Sequence, residues 1–211
     1  MAGNPVPKAT IVTDQGVVLG TTNDKGEFSA LVEPDEYSVT ASADGYFTSA
    51  PVLVELNPDG TQEITLIAPV QGANIARNAK ASASSEDPAW PATNVNDGDL
   101  TTYWLATGDT NQWVALTWDK PTHFTAVQLR GFQNNIERSV LQILATDGTM
   151  WMDLPNTVFV PYGSPKPDFL FPDGWTTTSL RLSMSATDTA GVPPGVSEIL
   201  VFDTPLPKPA Q

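Results

Sequence analysis

Short apolar runs separated by clusters of turn-forming residues recur along the first 70 residues. Tyr37–Ala43, for example, alternates apolar and polar side chains and ends at Asp44-Gly45. Such alternation indicates a strand with one buried face, because successive side chains of a strand point to opposite sides. Turn signals spaced by about 8–12 residues are typical of a β-sandwich. The strands that this pattern predicts are 9–13, 17–22, 27–32, 37–43, 51–56 and 63–68.

The same kind of pattern returns after a proline- and glycine-marked break at residues 70–73, which predicts a short linker. Ser179–Ser185 alternates strictly, and Trp113–Trp118 is an apolar run that Asp119-Lys120-Pro121 is expected to end. No segment has a convincing helical period. We therefore predict an all-β chain of two sandwich domains, over residues 1–69 and 74–203. A proline-rich extended tail follows at 204–211, suited to a linker or to an arm that docks on a neighbour.

The charge balance limits the possible partners. The chain has 24 acidic and 10 basic residues, a formal net charge of −14, and both predicted domains are acidic. Nucleic acid and anionic membranes require a basic face, so both are poor partners. No apolar run approaches the ~20 residues that span a bilayer, which argues against membrane insertion. Cations and neutral ligands fit the composition better.

The residues of nucleophilic catalysis are scarce. The chain has no cysteine, a single histidine and no G-x-S-x-G motif, which excludes the usual nucleophilic triads. Counting alone leaves open a carboxylate pair for glycoside hydrolysis. Two small β-sandwiches rarely form the deep cleft which that chemistry needs, so we predict that the protein is not an enzyme.

The segment Asn94–Trp104 is the part of the chain densest in hard oxygen donors. It places Asp97, Asp99 and Thr102 within six residues, and Gly98 permits a sharp turn. Calcium takes six to eight oxygen ligands from carboxylates, carbonyls and hydroxyls. The pattern predicts a calcium site. The alternative is an Asp-Gly turn whose carboxylates only cap backbone amides.

A second group of residues suits sugar recognition, which needs an aromatic face and planar polar groups. A loop between two predicted strands, with a separate proline-flanked tryptophan, supplies both. The candidate ligand-binding residues are Trp90, Arg130, Phe132, Asn134, Asn135 and Arg138. The alternatives are a packed Trp90, a surface ion pair for Arg130, for example with Glu137, and turn formation by the asparagines. The tryptophans predicted to lie in the core are Trp104, Trp113, Trp118 and Trp151, while Trp175 is left open.

The first domain resembles a known family. Thr22–Phe28, followed by Pro34–Tyr37 and Asp44–Tyr46, is similar to the carboxypeptidase-regulatory-like, or transthyretin-like, β-sandwich. The resemblance covers nearly all of residues 5–69. One departure is Asp35, which stands where the family usually has glycine. The resemblance implies a spacer or interaction role.

The order of motifs in the second domain resembles the discoidin domain, the coagulation-factor C-type fold shared with family 32 carbohydrate-binding modules. The motifs are Asn74–Ala76, Asn94–Trp104, Trp113–Trp118, Ala145–Trp151 and Ser197–Phe202. The resemblance implies a jelly-roll-like sandwich of eight strands whose relatives bind sugars, phospholipid or protein. The galactose-binding pattern of the family includes a histidine, and His123 lies outside the predicted sugar site, which counts against galactose.

The resemblance also implies a calcium ligand set. Glu198, an acidic residue at the start of the last strand, would close the site. The ligands would be the carboxylates of Asp97 and Glu198, the carbonyls of Asn94, Asp99 and Ser197, and the carbonyl and hydroxyl of Thr102. Such a site would join the start and end of the domain, so we expect the calcium to be structural.

We therefore predict a non-catalytic carbohydrate-binding or adhesion module with structural Ca²⁺, displayed by a β-sandwich spacer. Its partner would be a glycan or a glycosylated surface. The alternative is a structural component of an assembly surface, such as a virion decoration or fibre protein, which meets other subunits through its N-terminal domain or its termini. Residues 1–8 show no signal peptide. In either case we expect an extracellular or surface-exposed location, on a cell or a virion.

Overall fold

The computed structural model describes residues 5–49, 51–55, 65–66, 71–134, 136, 138–160, 168–187 and 190–204. The chain divides into two compact units, Met1–Gly72 and Ala73–Gln211. The regular structure is almost wholly strand, which confirms the all-β class. Across the described ranges, no helix is long and apolar enough to cross a membrane.

The N-terminal unit contains a four-stranded antiparallel sheet. Its strands are β1 (Thr10–Thr13), β2 (Val18–Thr21), β3 (Glu36–Ser42) and β4 (Val52–Glu55), in the order β2-β1-β3-β4. Burial alternates along β1, as a period of two requires. Ala9, Ile11 and Ala41 form the buried centre of this unit.

The predicted strand 27–32 is wrong. The side chain of Asn23 accepts hydrogen bonds from the backbone N–H groups of Lys25 and Glu27, which closes a turn instead. Phe28 then packs its ring against Gly20, in the space that a Cβ would fill. Leu31 is left fully exposed. The predicted strand 63–68 lies largely outside the described residues.

The C-terminal unit is a larger antiparallel sheet system. Its strands are β5 (Lys80–Ala83), β6 (Trp104–Leu105), β7 (Thr110–Gln133), β8 (Ser139–Leu144), β9 (Trp151–Asp153), β10 (Asp168–Ala186) and β11 (Gly195–Phe202). The order is β6-β11-β7-β10-β8-β9, and β5 also pairs with β7. Two short 3₁₀ helices, Ile75–Asn78 and Ala92–Asn96, precede β5 and β6.

The predicted break at residues 119–121 is also wrong, because β7 runs through it as a strand of 24 residues. The pairing of β7 with β10 shifts register between Thr177 and Ser179, opposite residues 118–121. Extra residues in one strand bend it and leave local backbone groups unpaired, so Pro121 removes no ladder hydrogen bond there. A second shift, between Leu170 and Trp175, makes β10 bulge at residues 171–174.

The two halves of β7 face one core. The first half pairs with β5 and the second with β11. Trp104 and Trp118 belong to this core, as predicted. Their indole N–H groups donate to the backbone oxygens of Ser85 at 3.0 Å and Ile75 at 3.1 Å, so neither polar atom is buried without a partner.

Trp113 and Trp151 are half-buried and lie outside this core, so their assignment to the core is wrong. In the first half of β7 the core side chains are Val114, Leu116 and Trp118. Trp113 has the opposite parity and therefore points to the other face of the sheet.

Candidate functional site

The acidic turn, residues 97–102, follows the second 3₁₀ helix and closes on itself through side-chain hydrogen bonds. Asp97 accepts from the backbone N–H of Asp99 at 2.8 Å and from the hydroxyl of Thr102 at 2.8 Å. Asp99 accepts from the backbone N–H of Thr101 at 2.9 Å and from its hydroxyl at 2.7 Å. The capping that was the alternative to a metal site is therefore present. It leaves the outer lone pairs of these carboxylates available.

Strand β11 brings Glu198 to this turn across 100 residues of sequence. Both carboxylate oxygens accept from the backbone N–H of Gly98, at 3.1 and 3.2 Å. Glu198 is only 1% exposed. The structure thus brings Glu198, which is distant in sequence, to the turn that contains Asp97 and Thr102.

Burial, with a smaller contribution from the negative charges of Asp97 and Asp99, raises the pKa of Glu198 to about 7. The Gly98 N–H and the positive charge of Arg77 act in the opposite direction. A carboxylate has about four lone-pair sites, and one backbone N–H serves both oxygens of Glu198 here. A hard cation would supply the missing compensation, so the chemistry of this donor set fits Ca²⁺. Among the described residues no three His, Cys, Asp or Glu side chains converge, so much of the coordination would come from carbonyls and hydroxyls.

Arg77 is a neighbour of this site that the sequence pattern did not reveal. Its guanidinium occupies the space that a side chain at position 98 would need, and Gly98 has a φ of +79°. Only glycine combines that backbone conformation with so close a contact. No local motif marks Arg77, because the contact joins the first 3₁₀ helix to a turn some 20 residues later.

The remaining implied ligands use their side chains elsewhere. The amide of Asn94 donates to the carbonyl of Tyr103 at 2.9 Å, and the hydroxyl of Ser197 donates to the carbonyl of Gly131 at 3.2 Å. For both residues the resemblance implies a backbone carbonyl as ligand, which these bonds leave available. The ligand set as a whole stays a prediction.

The predicted sugar site is more dispersed. Trp90 is half-buried and stacks on Tyr103, with ring centroids 4.0 Å apart and an interplanar angle of 11°. The backbone oxygen of Trp90 accepts a hydrogen bond from the N–H of Leu105. In the sheet, Gly195 lies between Leu105 on one side and Gln133 on the other. Trp90 and the end of β7 therefore share one rim of the sandwich.

Arg130 forms an ion pair, as its alternative interpretation proposed, but with a different partner. Its Nη1 lies 2.9 Å from Oδ1 of Asp168, and the two side chains are 16% and 13% exposed. The amide of Gln128 donates to the other oxygen of Asp168 at 3.1 Å. Glu137, the partner suggested by the sequence, lies outside the described residues.

The other predicted ligand-binding residues lie apart. Phe132 packs edge-on against Phe159 at 5.7 Å, and Phe159 in turn contacts Phe169 at 5.4 Å. Asn134 has a φ of +64°, as is common in turns, and its amide makes a long-range hydrogen bond to the carbonyl of Pro193 at 2.6 Å. Arg138 is exposed. Asn135 lies outside the described residues.

A cleft of about 380 Å³ lies beside these residues. It is bounded by Pro155, Asn156 and residues 168–175, and the bulge of β10 forms much of its wall. Trp175, left open by the sequence, is half-buried in this wall. The volume falls within the ~300–1,000 Å³ of typical ligand sites. The sequence could not locate the cleft, because the bulge arises from the pairing of two strands distant in sequence.

Two of the predicted ligand-binding residues, Arg130 and Phe132, lie behind the wall of the cleft and contact it through other side chains. Arg130 and Gln128 fix the carboxylate of Asp168, which lines the cleft. Phe132 reaches the lining residue Phe169 through Phe159. His123 does not line the cleft. It lies against Gly174, and its Nδ1 is 2.8 Å from Oδ1 of Asp203.

Comparison with known families agrees with this architecture. Residues 80–193, more than half of the chain, match the F5/8 type C domain, so the chain belongs to this family. Residues 1–69 match the carboxypeptidase regulatory-like domain. Both resemblances stated from the sequence are confirmed. A search of curated proteins found no significant match.

Solved structures similar to this chain include carbohydrate-binding modules. Chitosan-binding module 1 of a Paenibacillus sp. IK-5 chitosanase/glucanase has 20% identity and a TM-score of 0.52, over 62% of this chain and 99% of that one. Module 2 of the same enzyme, solved with chitotriose, has 18% identity and a TM-score of 0.53, over 61% and 99%. A CBM32 module from Clostridium perfringens, solved with GalNAc-β-1,3-galactose, has 21% identity and a TM-score of 0.51, over 62% and 99%. At these identities the likeness establishes the carbohydrate-binding-module-like fold.

Proposed function

We propose that the C-terminal unit binds a glycan without catalysis, in the cleft between Asn156 and Trp175. The observation that carries this proposal is the concave site itself, which combines aromatic and planar polar side chains on a fold of the F5/8 type C family. The neighbouring modules bind chitotriose and GalNAc-β-1,3-galactose. A sugar ring presents an apolar face and a fringe of hydroxyls, and this cleft offers a partner for each.

Each group has a distinct part in the proposed site. Trp175 offers ring surface to the apolar face of a sugar, while Asn156 and Asp168 offer amide and carboxylate groups to its hydroxyls. Asp168 keeps its orientation because Arg130 and Gln128 each hold one of its oxygens. Arg130, predicted as a ligand contact, would then act as a positioning residue through Asp168.

We further propose that the acidic turn holds a structural Ca²⁺ ion. When bound, the ion would supply the positive charge that the buried carboxylate of Glu198 lacks. Asp97, Thr102 and Glu198 would hold it, and the turn would be fastened to β11. The proposed role is to stabilise the loops at this end of the unit, not to contact the sugar.

Calorimetric titration of the full chain with glycans selected on an array tests the sugar site. Trp175→Ala should weaken binding by about tenfold, because it removes an aromatic contact. Trp90→Ala is the matched control, since Trp90 is also a half-buried tryptophan but lies near the Gln133 end of β7 and does not line the cleft. Binding lost with Trp90→Ala and kept with Trp175→Ala would place the site at the Trp90 rim instead. Circular dichroism checks that both variants are folded.

One observation favours the second candidate function, a component of an assembly surface. The N-terminal unit exposes Val17, Val18 and Leu31, at 54%, 61% and 104%. Val17 and Leu31 line a groove of about 480 Å³, and β2 is the edge of the sheet. Exposed edges and apolar surface favour docking of a further chain.

In this second function the N-terminal unit would attach the chain to other subunits and display the C-terminal unit at an extracellular or virion surface. Sedimentation analysis of the chain with Leu31→Asp tests it. Self-association of the wild type that the substitution abolishes would support docking through the groove. A monomeric wild type at high concentration would favour the spacer role.

A further inference from the structure

The outer face of the C-terminal sheet carries a cluster of five side chains that the proposed cleft does not use. The outer-face patch consists of Trp113 on β7, Arg181 on β10, Gln142 on β8, and Trp151 and Asp153 on β9. Arg181 pairs with Gln142, and Gln142 pairs with Asp153, so these three form one row across neighbouring strands. The row lies on the face opposite the core, because its members alternate with buried residues.

Arg181 is the centre of the patch. Its guanidinium carbon lies 4.2 Å from the ring centroid of Trp151 and 5.8 Å from that of Trp113. Its Nε donates to the side-chain oxygen of Gln142 at 2.6 Å. The amide nitrogen of Gln142 donates in turn to Oδ1 of Asp153 at 2.6 Å. Both ends of the Gln142 amide are thereby used, and it fixes the groups on either side of it.

These contacts leave some hydrogen-bonding groups of Arg181 and Asp153 unused. Within the part of the chain that the structure describes, the two Nη groups of Arg181 and Oδ2 of Asp153 have no hydrogen-bond partner in the protein. The row therefore offers donors at one end and an acceptor at the other. Neighbouring hydroxyls of a sugar both donate and accept, so such a pair of groups suits them.

We propose that the outer-face patch is a second glycan-binding surface, which takes a neutral oligosaccharide across Trp113 and Trp151. The two indoles provide apolar ring surface for successive sugar units, and Arg181 and Asp153 bind their hydroxyls. Gln142 is a positioning residue. This surface lies on a sheet face, separate from the cleft at residues 155–156 and 168–175. It extends the proposed function, on which it rests, by giving a longer oligosaccharide a second place to bind.

The charges argue for a neutral ligand. The chain carries a net charge of −14, so a polyanionic glycan would be repelled at long range. Asp153 is an exposed acidic group within the patch itself. Arg181, the cation among the five patch residues, already lies against two aromatic rings. These rings stabilise part of its positive charge.

The packing argues against a protein partner. Ala115 and Val140, which share this face with the patch, are already 2% and 3% exposed. The aliphatic groups between the patch side chains are therefore already covered, and a protein interface usually depends on an apolar centre. A half-buried tryptophan pair with polar groups between its rings is better matched to a sugar chain.

NMR titration of the full chain with cello-oligosaccharides and N-acetylated chito-oligosaccharides of two to six units tests the proposal. The indole N–H signals of Trp113 and Trp151 should shift, and affinity should rise with chain length. Trp151→Ala should weaken hexasaccharide binding, measured at the Trp113 signal, by about tenfold. Asp153→Ala, at an exposed position, should also weaken binding while the unit stays folded.

The controls separate this surface from the cleft. Trp175→Ala should leave the shifts of Trp113 and Trp151 intact, whereas Trp151→Phe, which keeps a ring, should retain most of the affinity. Indole signals of Trp113 and Trp151 that stay unmoved by every neutral oligosaccharide would overturn the proposal. So would oligogalacturonate binding more tightly than neutral chains. The cleft could still bind in either case, as the Trp175 signal would report.

Discussion

The acidic turn and the outer-face patch are both clusters of charged side chains in the same unit, but they are built in opposite ways. In the turn, Glu198 is buried beside Asp97 and Asp99, with Arg77 as the nearby cation. In the patch, one half-buried arginine lies between tryptophans, with one exposed carboxylate at the end of its row. The turn therefore has an excess of negative charge around one buried carboxylate, and the patch has spare hydrogen-bonding groups at the surface.

The difference teaches what each cluster can do. A buried charge without full compensation costs stability and is relieved by a counter-ion, so the turn suits a structural cation. Surface groups whose orientation is already fixed lose little entropy on binding, so the patch suits a ligand. The following predictions test this contrast.

The largest expected effect is on the turn. Saturating Ca²⁺ should raise the melting temperature of the C-terminal unit by roughly 10 °C over EDTA, for an ion at about 100 times its Kd. Scanning calorimetry with Ca²⁺ and with EDTA measures it. Arg181→Ala, in the patch, should show the same rise, whereas Glu198→Gln should show little. Equal melting temperatures with and without the ion would contradict the metal site.

The next effect is the pH dependence of the metal-free protein. The folded pKa of Glu198, about 7, lies above its ordinary value of 4.5. The folded state thus holds this proton more tightly than the unfolded state. The stabilising contribution is complete below pH 4.5 and is lost as the pH rises through 7, by up to about 3 kcal/mol. Denaturant unfolding in EDTA at several pH values measures this loss, and Glu198→Gln should flatten this part of the profile.

A smaller effect should come from the contact between Arg77 and Gly98. Gly98→Ala should destabilise the unit by about 1–2 kcal/mol, because it strains a positive φ and displaces the guanidinium. Gly148→Ala is the matched control, since Gly148 has a φ of +72° with no atom near the position of a Cβ. Denaturant unfolding of both variants measures the difference. If the two substitutions lower the free energy of unfolding by the same amount, the contact between Arg77 and Gly98 contributes nothing to stability.

The smallest effect should come from the patch. Arg181→Ala should cost only about 0.5–1 kcal/mol of stability, as is typical for a cation–π contact at a partly exposed site. The same denaturant unfolding measures it, with Trp151→Phe as a milder comparison. A loss of several kcal/mol would show that the patch is a structural element, and would remove the contrast with the turn.

The sequence predicted the acidic turn better than the outer-face patch. The acidic turn was predicted because its donors are close in sequence, and Glu198 followed from the family resemblance. Trp113 could have been assigned to the outer face, because its position alternates with those of Val114 and Leu116 along the strand. Arg181, Gln142 and Asp153 come from three strands, so no local pattern connects them before the register of the sheet is known.

Two of the misjudged features have the same physical cause. Asp119-Lys120-Pro121 looked like a turn, but the register of β10 accommodates it as a bulge within β7. The partner of Arg130 is Asp168, which reaches it only because β10 pairs with β7 beside Gln128. Long-range pairing decided each case, and composition and periodicity contain little of it.

The central claim is that the C-terminal unit is a glycan-binding module. The most direct measurement is a glycan array on the full, Ca²⁺-loaded chain, with Trp175→Ala and Trp90→Ala run beside it. We predict binding of neutral glycans that weakens with Trp175→Ala and persists with Trp90→Ala. A folded, Ca²⁺-loaded wild type that binds no glycan on the array would contradict the claim and leave the unit as a docking or structural domain.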